Sequence, residues 1–212
     1  MNKITVLLVD DHELVRAGFC RLLEDGDQFT VIAEANSGEQ AVQEYAKVHP
    51  DVVVMDISMP GIGGIGAIER IIARHSDARI LVLSVHEDSV FTTRALQAGA
   101  KGFIPKRSAP EEMLKAVEQV SQGKMCIDPA IAQQIAMQKL TGSENVIDVL
   151  SQREFEVFRL LAEGRSVNEI AEILSLSPKT VGTHHTSIKQ KLDVTNSAEL
   201  ARLAIRSGLL EA

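Results

Sequence analysis

Five positions in the first half of the chain carry side chains able to handle a phosphoryl group. Asp10 and Asp11 follow the apolar run ITVLLV (4–9), and Asp56 ends DVVVMD (51–56). Ser84 ends RILVLS (79–84), and Lys106 follows KGFIP (101–105). Each run has strand length, so each polar side chain stands at or just past a strand's carboxyl end. Carboxylates crowded together repel one another unless a cation joins them. Hard oxygen ligands that leave room for water and phosphate suit Mg2+. A nucleophilic carboxylate, a divalent cation, a hydroxyl and an ammonium together bind and stabilise a transferring phosphoryl group, with an acyl phosphate forming on the carboxylate. Any one acid here could simply cap a helix; five such positions together do not fit that simpler explanation.

The elements that must position these groups are an alternation. Helical patterns at 12–24, 38–47, 65–75, 89–98 and 109–121 separate the four runs above and a fifth, TVIA (30–33). Ser108 with Glu111 reads as a capping box opening the last of these helices, and Gly99 and Gly123 read as helix stops. Five strands alternating with five helices imply right-handed crossovers and a doubly wound α/β parallel sheet covered on both faces; the order 2-1-3-4-5 is expected from the family resemblance given below. Ligands of such sheets bind at the carboxyl ends of the strands, where the five side chains fall.

The stretches VLLVDDHELVRAG, VVVMDISMPGIGG, LVLS and GFIPK resemble the receiver domain of two-component response regulators, over nearly all of residues 3–122. The resemblance implies Asp56 as phospho-acceptor and Asp10 and Asp11 as metal-site acids, with the Ser58 backbone carbonyl completing an Mg2+ site. It also implies Ser84 as the switch hydroxyl, Lys106 as the family's lysine, and Phe103 as an aromatic switch that turns inward on activation. GIGGIG (61–66) formally matches a dinucleotide fingerprint, with Glu87 about twenty residues on. Against that reading, Ile57–Pro60 separates strand from glycines, and Asp56 would repel a pyrophosphate. The glycines read better as a loop above the acid pocket.

From about Met125 the pattern changes. PAIAQQIAMQKL (129–140) is one helix, and TGSEN (141–145) is a polar linker. Four helical signals follow without a strand. Ser151 with Glu154 and Ser166 with Glu169 form capping boxes, Ser177 before Pro178 is an N-cap, Ser197 opens the last helix and Gly208 closes it. LSQREFEVFRLLAEGRSVNEIAEILSLSPKTV...IKQKL resembles the LuxR/NarL-type helix-turn-helix module of the NarL/FixJ response regulators, over about residues 148–210. VDDHELVRAG, SMPGIGG and LSPKTV...LAIRSGL are similar to the GacA/UvrY group within that family.

In TVGTHHTSIKQ (180–190), winding at 100° per residue puts Val181, Ile188 and Leu192 on one face, flanked by His184 and His185. The other face carries Lys179, Thr183, Thr186 and Gln190, and such a helix can lie in a major groove. The family's base-contacting positions fall on Gly182, Thr183 and Thr186, where relatives often place longer polar residues. Thr180 and Gln190 complete the candidate DNA-contacting set, and Lys179, Lys189 and Lys191 are expected on phosphates. Adjacent histidines point about 100° apart, so His184 and His185 do not readily chelate one ion.

Composition agrees with this division. The formal net charge is −7 over 212 residues, which argues against indiscriminate nucleic-acid binding, yet Pro178–Lys191 holds three lysines and no acid. Up to Lys124 there are 13 Lys+Arg against 18 Asp+Glu; from Leu150 onward the count is 8 against 8. Cys20 and Cys126 have no metal or disulfide spacing and read as buried thiols in a reducing compartment. No early apolar run suits a signal peptide or membrane span, so a cytoplasmic protein without membrane contact is expected.

The expected organisation is a receiver domain over 1–124, a helical linker over 125–147, and a four-helix DNA-binding domain over 148–212. The expected partners are a sensor histidine kinase or phosphotransfer protein, double-stranded DNA, and a second copy of the chain when active. Two other readings use the same residues: a metal-dependent phosphoryl-transfer enzyme, and a phosphorylation-independent interaction protein with a degenerate receiver. The first leaves the helix-turn-helix unexplained and the second leaves the complete pocket unexplained.

Overall fold

A computed structural model describes residues 3–85, 89–141, 146–207 and 209–210. The chain forms two compact units, Met1–Gln133 and Gln134–Ala212. Glu87, Gly208 and residues 142–145 of the polar linker lie outside the described residues.

In the first unit, β1 (Ile4–Val9), β2 (Phe29–Ala35), β3 (Val52–Asp56), β4 (Ile80–Ser84), β5 (Gly102–Pro105) and β6 (Cys126–Ile127) form one parallel sheet in the order β2-β1-β3-β4-β5-β6. The helices between them are α1 (Glu13–Glu24), α2 (Gly38–Val48), α3 (Gly63–Arg74), α4 (Ser89–Gln97) and α5 (Pro110–Ser121). Strands β3, β4 and β5 are buried at every residue, as expected of apolar runs covered on both faces. One face packs Val6, Leu8, Val54 and Leu83 into a core with Leu23, Phe29, Met113 and Val117. The register pairs Val9 with Met55, Asp56 with Leu83, and Ser84 with Pro105. Asp10, Asp56, Ser84 and Lys106 therefore finish level with one another at the sheet's carboxyl edge.

Three local expectations change. The sheet has a sixth strand where a helical linker was expected to begin: the Cys126 N–H donates to the Lys101 carbonyl at 2.9 Å, covering the otherwise open edge of β5. Ser108 does not cap α5. Pro110 opens that helix, the residue before a proline is pushed out of the helical region, and the cap falls on Ala109. Cys20 and Cys126 are half-buried thiols, not core residues. Gly99 and Gly123 do end their helices, both at positive φ.

In the second unit a 3-10 turn (Val146–Val149) precedes α7 (Gln152–Ala162), α8 (Val167–Ile173), α9 (Pro178–Leu192) and α10 (Ser197–Arg206); α6 (Pro129–Thr141) leads into it. Both capping boxes are complete, and Ser177 accepts the Thr180 N–H at 3.0 Å. The cap of α10 is Asn196, one residue before Ser197, because its carboxamide oxygen accepts the Glu199 N–H at 3.0 Å. The core gathers Ile147, Phe155, Phe158, Ile170, Val181, Ile188 and Leu200, all fully buried. Among the described residues, no helix is long and apolar enough to cross a membrane.

Candidate functional site

Asp56 ends β3 with its side chain almost fully buried. Its Oδ1 accepts the Ser58 N–H at 3.0 Å, and its Oδ2 lies 2.7 Å from the Lys106 Nζ. The same ammonium reaches Asp10 Oδ2 at 2.6 Å, so one lysine bridges two carboxylates. Burial raises the Asp56 pKa, the bonds from Lys106 and Ser58 oppose this, and the Asp10 charge adds to the rise. Burial also works against the Lys106 charge, but its bonds to Asp10 and Asp56 prevail and raise its pKa. The pocket keeps an excess of negative charge over its single lysine.

Ser84 is fully buried at the end of β4, and its carbonyl accepts the Lys106 N–H at 2.8 Å. Phe103 is fully buried in β5, so its ring already lies inward. Ser58 is exposed beside the pocket. The glycine-rich loop has a structural cause. A Cβ on Gly64 would collide with the Asp56 carbonyl oxygen, so α3 can only approach the acceptor strand this closely with glycine there. The Ile62 N–H donates to Glu39 Oε1 at 3.0 Å, and Gly61 at positive φ makes room for that carboxylate. A carboxylate, not a phosphate, fills the loop, which removes the dinucleotide reading.

The residues suit a divalent cation. One ligand atom each from Asp10, Asp11, His12 and Asp56 lies within 4.8 Å of the others, the one group of this kind among the described residues. The Lys106 ammonium stands as a cation between two of these acids, and Asp11 Oδ1 is buried without a hydrogen bond. His12 was missed in the sequence, although its place directly after two site acids was a visible signal.

On α9, Val181, Ile188 and Leu192 are buried as the helical winding requires, and His184 and His185 are half-buried beside them. Burial first, and Lys189 second, lower the His185 pKa. Lys179, Thr183, Thr186 and Gln190 are exposed; Lys189 is half-exposed, and neither Lys179 nor Lys189 forms an ion pair with a described residue. The Thr183 hydroxyl donates to the Lys179 carbonyl at 3.1 Å, and that of Thr186 to the Gly182 carbonyl at 3.0 Å. A Cβ on Gly182 would meet nothing within 4 Å, so packing gives no reason for glycine there.

Two expected DNA contacts have other work inside the domain. Thr180 belongs to the α9 cap, its hydroxyl 2.8 Å from that of Ser177. Lys191 donates to Glu154 Oε2 at 2.6 Å, where Ser187 Oγ and the Ser151 N–H complete the shell at 2.6 and 2.7 Å. Although burial opposes it, those bonds, led by Lys191, hold the Glu154 pKa down to about 2. No local pattern announces a pairing between residues 37 positions apart.

The comparisons agree with this geometry. The family model "Response regulator receiver domain" matches residues 6–118, and "Bacterial regulatory proteins, luxR family" matches 148–204. The chain is 41% identical to the response regulator GacA of Pseudomonas aeruginosa over 211 residues, 99% of each protein. It is 43% identical to UvrY of Escherichia coli, over 99% of this chain and 97% of that one. Among solved structures, RcsB of Salmonella enterica serovar Typhimurium, bound to promoter P1flhDC in the presence of phosphomimetic BeF3-, aligns with a TM-score of 0.66 at 28% identity, covering 95% of this chain and 98% of that one. A LuxR-family response regulator from Aurantimonas sp. SI85-9A1 aligns with a TM-score of 0.63 at 40% identity, covering 66% of this chain and 99% of that one. Matched along almost its whole length, this chain belongs to the two-component response regulators that join a receiver domain to a LuxR-type DNA-binding domain.

Proposed function

We propose that Asp56 accepts a phosphoryl group from a histidine kinase or phosphotransfer protein, and that this phosphorylation controls DNA binding through α9. The observation that carries the reading is the buried Asp56 carboxylate, joined by Lys106 to Asp10 at the sheet's carboxyl edge. In the transfer, an Asp56 oxygen forms a bond to phosphorus as the phosphorus–nitrogen bond of a phosphohistidine breaks; the donor imidazole keeps the electron pair. Asp10, Asp11, Asp56 and the Ser58 carbonyl are the residues that would hold Mg2+, which neutralises charge on the transferring oxygens when bound. Lys106 and the Ser84 hydroxyl then serve the product phosphoryl oxygens, drawing β4 and β5 toward the acceptor. Phe103 follows on β5, passing the change to the α4–β5–α5 surface.

On the DNA side, Lys179 and Lys189 serve phosphates, and Gly182, Thr183, Thr186 and Gln190 face the groove. Gly182 allows the backbone close approach there, a role supported by the empty space around its missing side chain. A structure of two RcsB dimers bound to two parallel DNAs supports a homodimeric active form; α10 is the surface assigned to pairing. The assignment takes 1–124 as receiver, 125–147 as linker and 148–212 as DNA-binding domain, in a cytoplasmic regulator that does not turn over substrate.

Asp56→Asn tests the reading: labelling by acetyl phosphate and phosphorylation-enhanced DNA binding should both disappear. Persistent labelling of that variant would overturn the site.

A further inference from the structure

The loop that carries Ser58 runs from the end of β3 to the start of α3, and both of its ends are tied down. At its start the Ser58 N–H donates to Asp56 Oδ1, and the side chains of Ile57 and Met59 are buried. At its end the Gly64 N–H donates to the Ile57 carbonyl at 3.3 Å. The stretch between is held from another helix. Glu39, in the first turn of α2, accepts the Ile62 N–H on Oε1 at 3.0 Å. Both of its carboxylate oxygens would lie 2.7 Å from a Cβ on Gly61, nearer than a side chain tolerates. Gly61 sits at φ 74°, a conformation glycine adopts without strain. The backbones meet as well, since a Cβ on Gly38 would collide with the Gly63 carbonyl oxygen.

The start of α2 is served by other residues. Ser37 Oγ accepts the Gln40 N–H at 3.3 Å, and Gln40 Oε1 accepts the Asn36 N–H at 2.9 Å. Glu39 is exposed, and its bond runs to the loop and not to its own helix. A carboxylate on a backbone N–H makes a stronger bond than a neutral acceptor does. Placed on Ile62, that bond fixes the peptide that follows Gly61.

We propose that Glu39 is a positioning residue of the phosphorylation site, holding the 58–62 turn so that the Ser58 carbonyl is presented to the divalent cation. The proposal rests on the reading of the pocket as an Mg2+ site to which Ser58 contributes its carbonyl. Mg2+ demands near-ideal octahedral geometry, so a main-chain ligand on a surface loop serves it only when the loop is held in place. Partners beyond the ligands supply that orientation. Glu39 touches neither the cation nor the phosphoryl group and acts through the Ile62 amide.

The experiment compares the full wild-type chain with Glu39→Ala, Glu39→Gln and Gln40→Ala. It measures Mg2+ binding by calorimetry, the Mg2+ dependence of acetyl phosphate labelling, and amide hydrogen exchange at Ile62 in the metal-free chain. Glu39→Ala should speed exchange at Ile62, weaken Mg2+ about tenfold and raise the Mg2+ concentration for half-maximal labelling by the same factor. Its labelling rate at saturating Mg2+ should stay within about twofold of wild type, because the acceptor and Lys106 are intact. Glu39→Gln keeps an oxygen that accepts the Ile62 N–H, so it should retain Mg2+ affinity within about threefold. Gln40→Ala loosens the same helix start without touching the loop, and should leave Mg2+ affinity unchanged. Unaltered exchange or unaltered Mg2+ affinity in Glu39→Ala would overturn the proposal. So would a Glu39→Gln variant as weak as Glu39→Ala, or an equal loss in Gln40→Ala, which would make the effect a general loosening of α2. A wild-type chain that binds no Mg2+ would end the reading of the pocket as a metal site and this inference with it.

Discussion

The molecule contains two arrangements of lysine on a buried carboxylate, one with a largely buried lysine and one with an exposed lysine, and they behave in opposite ways. In the receiver, one ammonium faces two acids, a third acid keeps a buried oxygen without a hydrogen bond, and the Asp56 pKa is raised. In the DNA-binding unit, one carboxylate receives a lysine, a serine hydroxyl and a backbone N–H, and the Glu154 pKa falls to about 2. A fully matched set ties helices together and has nothing left to offer. A set short of positive charge stores a demand that an incoming cation or phosphoryl-bound metal can meet. The difference between a strut and a reactive site here lies in the depth of burial, which raises the Asp56 pKa, together with the count of donors around the acid, which lowers that of Glu154.

The largest effect that would sharpen this contrast is at the strut. Glu154→Ala strands the Ser187 hydroxyl and Lys191, and should destabilise the DNA-binding unit by about 3 kcal/mol, read as a lowered transition in calorimetry. Its folded pKa of about 2 lies below the ordinary 4.5, so its stabilisation is complete above pH 4.5 and vanishes as pH falls through 2. A wild-type acid limb that Glu154→Gln leaves unchanged would break the assignment.

Next comes a division between two lysines. Lys191→Ala should cost about 1 kcal/mol of stability through the same network, whereas Lys189→Ala should leave stability alone and reduce the salt slope of DNA binding by about one. Equal slopes for both variants would return Lys191 to the DNA contacts.

Asp56 should show the reverse sign from Glu154. Its folded pKa is above the ordinary 3.8, so its contribution favours folding below that value and is lost as pH rises through the folded pKa. Asp56→Asn without added cation should therefore raise receiver stability at neutral pH by about 1 kcal/mol. A destabilised variant would show that Lys106 needs both acids. The smallest effect is at Gly182→Ala, expected to stabilise α9 by about 0.5–1 kcal/mol while weakening DNA affinity. Unchanged affinity would mean that the glycine is merely tolerated.

Much of this was legible in the residues. Apolar runs placed five strands and their helices, and Ser151–Glu154, Ser166–Glu169 and Ser177–Pro178 marked helix starts, because these signals act within one turn or one strand. Errors arose where a neighbour in sequence competed for the same role. Pro110 moved the α5 cap from Ser108 to Ala109. Strand β6 was missed because two residues carry too little periodicity, and only the open edge of β5 gives them a partner.

Residue type and spacing by themselves determined the alternating sheet, the pocket of Asp10, Asp11, Asp56, Ser84 and Lys106, and the two-faced α9. Those depend on local geometry and on the rule that parallel strands carry sites at their carboxyl ends. Only the tertiary structure decided that Lys191 belongs to Glu154, that Gly64 admits α3 against Asp56, and that His12 turns its ring toward Asp11. Each is a meeting of particular atoms set by packing and by ring orientation, and neither composition nor period encodes it.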